Sequence, residues 1–134
     1  MNIVKGEISD LTVNENLTLV QVKAGDILLN AIVIDTPASA SYLKVGQKVN
    51  ALFKETEVII GTDQDLRISL QNRIPGIIEN INDGQLLSKV TVKTSLGSVK
   101  SIITANAVKE LELLPGKKVM ALIKTNEIML STDD

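Results

Sequence analysis

The chain of 134 residues has no cysteine, no histidine and no tryptophan, and only one tyrosine and one phenylalanine. Without thiols or imidazoles it has no disulfide, thiolate nucleophile, imidazole base or usual zinc ligand. With so few aromatic rings it offers no stacking platform to the bases of single-stranded nucleic acid. Its core must instead come from Val, Ile, Leu and Ala, a side-chain set that suits strands. An excess of one charge is missing too: 14 Lys and Arg against 16 Asp and Glu leave a net −2. No general field therefore draws in nucleic acid or anionic lipid, and any bound anion must be held by local groups. There is no apolar run of about 18 residues and no basic-then-apolar leader, so a soluble cytoplasmic protein without a membrane partner is expected. The lack of cysteine permits that compartment.

What the chain does have is a repeat, and self-similarity at a fixed period decides an architecture before any local reading. An offset of 70 positions carries Gly6 onto Gly76, Ile8 onto Ile78, Leu17 onto Leu87, Val20 onto Val90 and Val22-Lys23 onto Val92-Lys93. The register holds to the far end. Ile32 falls on Ile102, Leu43 on Leu113, Gly46 on Gly116, Lys48-Val49 on Lys118-Val119, Ala51-Leu52 on Ala121-Leu122, Lys54 on Lys124 and Glu57 on Glu127. Two homologous domains, 1–64 and 67–134, are therefore expected, divided near the stretch 67–76. A unit of that size is marginal alone, which favours packing of the halves on each other or on further subunits.

In the first half, residues 3–11 and 17–24 read as strands about the turn Asn14-Glu15-Asn16, and 27–34 as a third strand after Gly25-Asp26. Thr36 is a good N-cap and Pro37 a good first helical residue, so a short helix is expected next; 70 positions on, Asn106 and Ala107 take those places. Residues 48–53 and 118–123 read as fourth strands, Lys54-Glu55-Thr56 and Lys124-Thr125-Asn126 as tight connections, and 58–60 and 128–130 as fifth strands that close each unit. Five short strands with one short helix between the third and fourth is the element order of a small closed OB-type barrel. The expected class is all-β: two tandem OB-like five-stranded barrels, each with one short helix. Closure would also remove edges prone to aggregation.

The run Ile68-Ser69-Leu70-Gln71-Asn72-Arg73-Ile74-Pro75-Gly76 is followed by Ser101-Ile102-Ile103-Thr104-Ala105, Leu113-Leu114-Pro115-Gly116-Lys117 and Ala121-Leu122-Ile123-Lys124. Together these segments resemble the Mop domain, the molybdate-binding domain of molbindins, of the molybdate-responsive transcription regulator and of molybdate transporter ATPases. The resemblance covers essentially the whole chain and is greatest to a tandem, di-domain molbindin. It implies Mop/TOBE-like barrels, oxyanion sites at domain or subunit interfaces, and a homo-oligomer, with a trimer favoured for tandem members. It also implies cytoplasmic binding of molybdate or tungstate for storage or homeostasis, without a cofactor and with molybdenum bound only as the oxyanion. The alternative is a ligand-sensing regulatory module acting on a molybdate transporter or regulator.

The family's first-strand motif, Ser-x-Arg-Asn, reads Ser69-Leu70-Gln71-Asn72 here. Glutamine in place of arginine costs one charge and a bidentate fork. The family's Thr-containing end of the third strand is matched by Thr104 to Ala107, and its lysine by Lys124 followed by Thr125. The first half departs further: Met1-Asn2 keeps only the asparagine, Ile34 replaces the threonine, and Glu55 follows Lys54.

Molybdate and tungstate are tetrahedral dianions, so a site needs several donors converging from different directions. Unpaired N–H groups at a helix N-terminus are one source, and Thr104, Ala105, Asn106 and Ala107 stand at such a place, with Thr36 the equivalent start in the first half. Ser69 and Thr125 supply neutral hydroxyls, Gln71 and Asn72 amides, and Lys124 and Lys54 charge-assisted bonds roughly twice as strong. Each has a plainer reading as well, the lysines as solvated turn residues and Thr104 and Asn106 as caps. DNA or ATP work would need another chain, since no helix-turn-helix and no phosphate loop is present. No enzyme is expected: Asp63, Asp65, Glu110 and Glu112 fall in the linker and on the short helix without an evident partner. A purely structural role for one repeat is the further alternative, and Ile34, Pro37 and Glu55 make the first half the candidate for it.

Overall fold

The computed structural model describes residues 1–132. In chain order its strands are β1 (Asn2–Asn14), β2 (Leu17–Ala24), β3 (Ile27–Val33), β4 (Lys48–Phe53), β5 (Ile59–Gly61), β6 (Asn72–Asn82), β7 (Leu87–Thr94), β8 (Gly97–Thr104), β9 (Lys118–Ile123) and β10 (Met129–Ser131). One helix, α1 (Ala105–Glu110), follows β8, and single 3-10 turns over Glu55–Glu57 and Thr125–Glu127 follow β4 and β9. The strands build two antiparallel five-stranded sheets, in the orders β10-β4-β1-β2-β3 and β5-β9-β6-β7-β8. The long first strand of each half turns its Val and Ile inward on alternate residues, Val4 and Ile8 in β1 and Ile74 and Ile78 in β6. Each then bends at a register shift, between Ile8 and Asp10 and between Ile78 and Asn80, so that it can serve two neighbours.

The last strand of each half is exchanged. β5 pairs with β9 through Ile59↔Leu122 and Ile60↔Ala121, and β10 pairs with β4 through Met129↔Leu52 and Leu130↔Ala51. The expectation that residues 58–60 and 128–130 close their own unit is thereby corrected, since each closes the other. The cause is local. Lys54 and Val58, which bracket the first 3-10 turn, are both extended (ψ 148° and 122°), so the turn carries the chain onward instead of reversing it beside β4. Lys124 and Ile128 do the same in the second half, with ψ 149° and 123°. Burial fixes the crossing: Val58 and Ile128 sink into a single core shared by both sheets, and the Ser101 hydroxyl donates to the Val58 carbonyl at 2.7 Å.

The first-half helix is a second correction. Around Thr36 the chain makes turns only: the Ser39 and Ala40 N–H groups both donate to the Thr36 carbonyl, and the Thr36 N–H donates to Ser39 Oγ. The Ser39 hydroxyl competes with the backbone for hydrogen bonds, whereas the second half offers Ala107, Val108, Lys109 and Glu110 in the matching stretch. The linker is held as well. The Arg73 guanidinium donates to the carbonyls of Leu66, Ile68 and Leu70 at 2.6, 3.0 and 2.9 Å, and Leu66 and Leu70 pack on Met120 and Leu122.

Candidate functional site

The exchange creates two related junctions between the halves. In one, the Thr125–Glu127 turn packs against β3; in the other, the Glu55–Glu57 turn packs against β8. They are called here the Lys124 junction and the Lys54 junction.

At the Lys124 junction the register Asn72↔Ile123 sets Gln71 and Lys124 at the ends of adjoining strands, with Ser69 and Thr125 just beyond them. Ser69, Gln71 and Lys124 are exposed and Thr125 half-buried. Lys124 forms no ion pair among the described residues. Lys124, Ser69 and Gln71 are thus open to solvent, with Thr125 partly covered. The structure therefore sets Gln71 of the strand motif beside the lysine. Past the end of β3 this junction carries Ile34, 77% exposed, where a hydroxyl would be the useful group.

Asn72 has a different part. It is fully buried; its Oδ1 accepts from the Asn30 N–H at 2.6 Å and its Nδ2 donates to the Asn30 carbonyl at 2.9 Å. Asn2 makes the same pair of bonds with Lys100, at 2.9 and 2.8 Å. These carboxamides act as clamps: each stands in for a missing strand partner and ties β6 to β3, or β1 to β8. Nor does Arg73 replace the charge lacking at Gln71, since its guanidinium is committed to three linker carbonyls.

At the Lys54 junction the Glu55 carboxylate meets the Lys89 Nζ and the Met1 ammonium, each at 3.3 Å. Burial pushes the Glu55 carboxyl upward, but hydrogen bonds and attraction from those two cations outweigh it and hold the group below the ordinary carboxylate range. β8, which ends at Thr104, packs on this side, so Thr104 to Ala107 do not join Lys124. Their polar groups are largely used locally. Thr104 Oγ1 accepts from the Ala107 N–H at 3.0 Å, the Ala105 N–H donates to the Leu86 carbonyl at 2.8 Å, and Asn106 Nδ2 donates to Glu110 Oε1 at 3.1 Å. Lys54 is exposed and caps its turn without a side-chain hydrogen bond. Thr36, beyond β3, closes the Ser39 turn described above.

Sequence reasoning missed Lys89. The available signal was a pair of differences between the halves: Glu55 stands where the second half has Thr125, and Lys89 where the first half has Leu19. The acid and its base arrive together. Among the described residues no group of three or more His, Cys, Asp or Glu could hold a metal ion, and no helix is long and apolar enough to cross a membrane.

Comparison with known proteins agrees with this architecture. The TOBE domain pattern matches residues 1–60 and again 68–130. The chain belongs to the TOBE domain family. This TOBE protein is 29% identical over 102 residues to the molybdenum transport protein ModE of Azotobacter vinelandii, covering 75% of this chain and 38% of that protein. It is 34% identical over 106 residues to the molybdenum-pterin-binding protein MopB of Rhodobacter capsulatus, covering 77% of this chain and 39% of that protein. The chain thus spans about two fifths of the length of these relatives. Its fold matches a crystal structure of the cytoplasmic molybdate-binding protein ModG with molybdate bound, with a TM-score of 0.91 and 30% identity over 98% of this chain and 95% of that one. Two TOBE units in tandem, each a five-stranded OB-like sheet, are common to both chains.

Proposed function

We propose that this TOBE protein binds molybdate, or the nearly isosteric tungstate, as the intact oxyanion in the cytoplasm, for storage or homeostasis, without a cofactor and without catalysis. The observation that carries the reading is the likeness to molybdate-bound ModG over nearly the whole of both chains. The Lys124 junction supplies suitable chemistry: an unpaired ammonium, the Ser69 and Thr125 hydroxyls and the Gln71 amide lie at one seam between the halves. A dianion there gains from charge-assisted bonds while the neutral donors fix its orientation. Because the donors are exposed, a homo-oligomer, as a trimer, would cover them and complete the oxyanion shell from a second chain. The domains 1–64 and 67–134 are proposed as repeat units, with their final strands exchanged.

Isothermal titration of the ion-free protein with molybdate, against sulfate at matched ionic strength, tests the reading. Saturable heat with molybdate alone supports a selective oxyanion protein, and no heat from a folded sample refutes it. A second reading, a ligand-sensing module acting on a transporter or regulator, is favoured by the match to a 38% portion of ModE. Molybdate-dependent association with such a partner would distinguish it.

A further inference from the structure

The 70-residue offset superposes the two junctions residue by residue: Lys54 falls on Lys124, Glu55 on Thr125, Met1 on Gln71 and Lys89 on Leu19. One junction therefore presents a lone lysine beside a hydroxyl and a leucine. The other presents a carboxylate held between Lys89 and the Met1 ammonium, directly after Lys54 in the chain. Glu55 Oε1 lies 3.3 Å from Lys89 Nζ and Oε2 lies 3.3 Å from the Met1 ammonium, and the Glu55 side chain is 19% exposed. A carboxylate held in this way makes the same contacts with those cations as an oxyanion's oxygens would.

We infer that Glu55 is a built-in occupant of the Lys54 junction, filling with its own carboxylate a latent site for a tetrahedral oxyanion. The inference rests on the oxyanion reading of the Lys124 junction and extends it to the number of sites a chain can offer. Charge supports it. At the superposed positions the Lys54 junction holds three cations, Lys54, Lys89 and the Met1 ammonium, with the Glu55 carboxylate, and the Lys124 junction holds one cation and no anion. The junction richer in cations is the one in which an anion is already part of the chain. Any dianion approaching Lys54 meets a like charge on the adjacent residue, so the occupied junction repels the ligand that its partner junction admits. Without Glu55, Lys89 and the Met1 ammonium would both lose their anionic partner, beside Lys54 at the same seam.

The test uses the full chain with Glu55→Thr, which copies the second half, and Glu55→Gln, each alone and with Lys89→Ala, in equilibrium dialysis against molybdate. Either Glu55 variant should raise the molybdate bound at saturation about twofold, as expected when a second pseudo-symmetric site opens, and adding Lys89→Ala should return it to the starting level. In the converse construction, Thr125→Glu with Leu19→Lys should plug the Lys124 junction and weaken binding at least about tenfold. Glu55 variants that stay folded and bind no more than the unchanged chain overturn the inference. So does undiminished binding by the Thr125→Glu, Leu19→Lys protein, which decides the matter if the Glu55 variants do not fold. Gain of binding by a Glu55 variant from a chain that itself binds nothing would uphold the latent site while refuting the Lys124 site. Binding by the unchanged chain with no gain in folded variants would do the reverse.

Discussion

At the scale of single residues, the most informative side chains are those whose polar atoms are spent on the fold. Asn72 carries both partners for the Asn30 backbone from within the seam between the halves. Replacing it by Ala leaves a donor and an acceptor of β3 without partners, which should cost about 2 kcal/mol; urea denaturation would report it as a lower midpoint with unchanged slope. Asn2→Ala, its counterpart on Lys100, should do the same. Glu55 makes a pH-dependent contribution. Its carboxyl is lowered in the folded state, so the stabilisation is fully present above the unfolded carboxylate pKa and is lost as pH falls through the lower folded value. Glu55→Gln should therefore remove up to about 1 kcal/mol near neutrality and nothing once both states are protonated. Midpoints measured from neutral to strongly acidic pH should converge for the two proteins.

Among the elements, the bent first strands set the shape of each sheet. β6 passes so close to β7 that a Cβ on Gly76 would lie 2.5 Å from Val92 Cγ1 and 2.6 Å from the Lys93 carbonyl oxygen. The Val92 side chain is fully buried and the Lys93 carbonyl cannot yield without moving β7, so Gly76→Ala should destabilise the protein by about 2 kcal/mol, visible as a lowered thermal midpoint. The two connections after β3 and β8 show how little separates a helix from a run of turns. Thr104 finds the Ala107 N–H and a six-residue helix follows, whereas Ser39 turns its hydroxyl onto Thr36 and no helix forms.

For the whole molecule, strand exchange joins the halves more tightly than a linker could. Each sheet needs a strand from the other repeat, and the core runs across both. Fragments 1–64 and 67–134 should therefore fail to fold as separate monomers yet reconstitute a compact heterodimer when mixed. Circular dichroism and size-exclusion chromatography of each fragment and of the mixture would show this; two independently folded monomers would contradict it. Binding is expected to be equally unequal between the halves. Lys124→Ala should abolish most molybdate binding, while Lys54→Ala, beside a site already holding Glu55, should change it little. Titration of both variants makes that comparison.

Much of this was set by the sequence alone. The shared register from Gly6/Gly76 to Glu57/Glu127 determined that there are two units, and alternation of Val and Ile between turn residues determined that they are built of strands. Aromatic poverty and the absence of cysteine and histidine narrowed the chemistry open to the chain. What sequence could not determine was which copy each piece serves. A strand's periodicity names its buried face but not its neighbour, so the residues of β5 and β10 read identically whether they close their own sheet or the other. Only the extended backbone at Lys54, Val58, Lys124 and Ile128 decided that. The same ambiguity governs the site. Thr104 and Lys124 lie in one repeat and read as one constellation, but the exchange sends them to different junctions and sets Lys89 against Glu55 instead. Contacts between residues far apart in the chain depend on the path of the backbone, and that path is a property of the packed molecule.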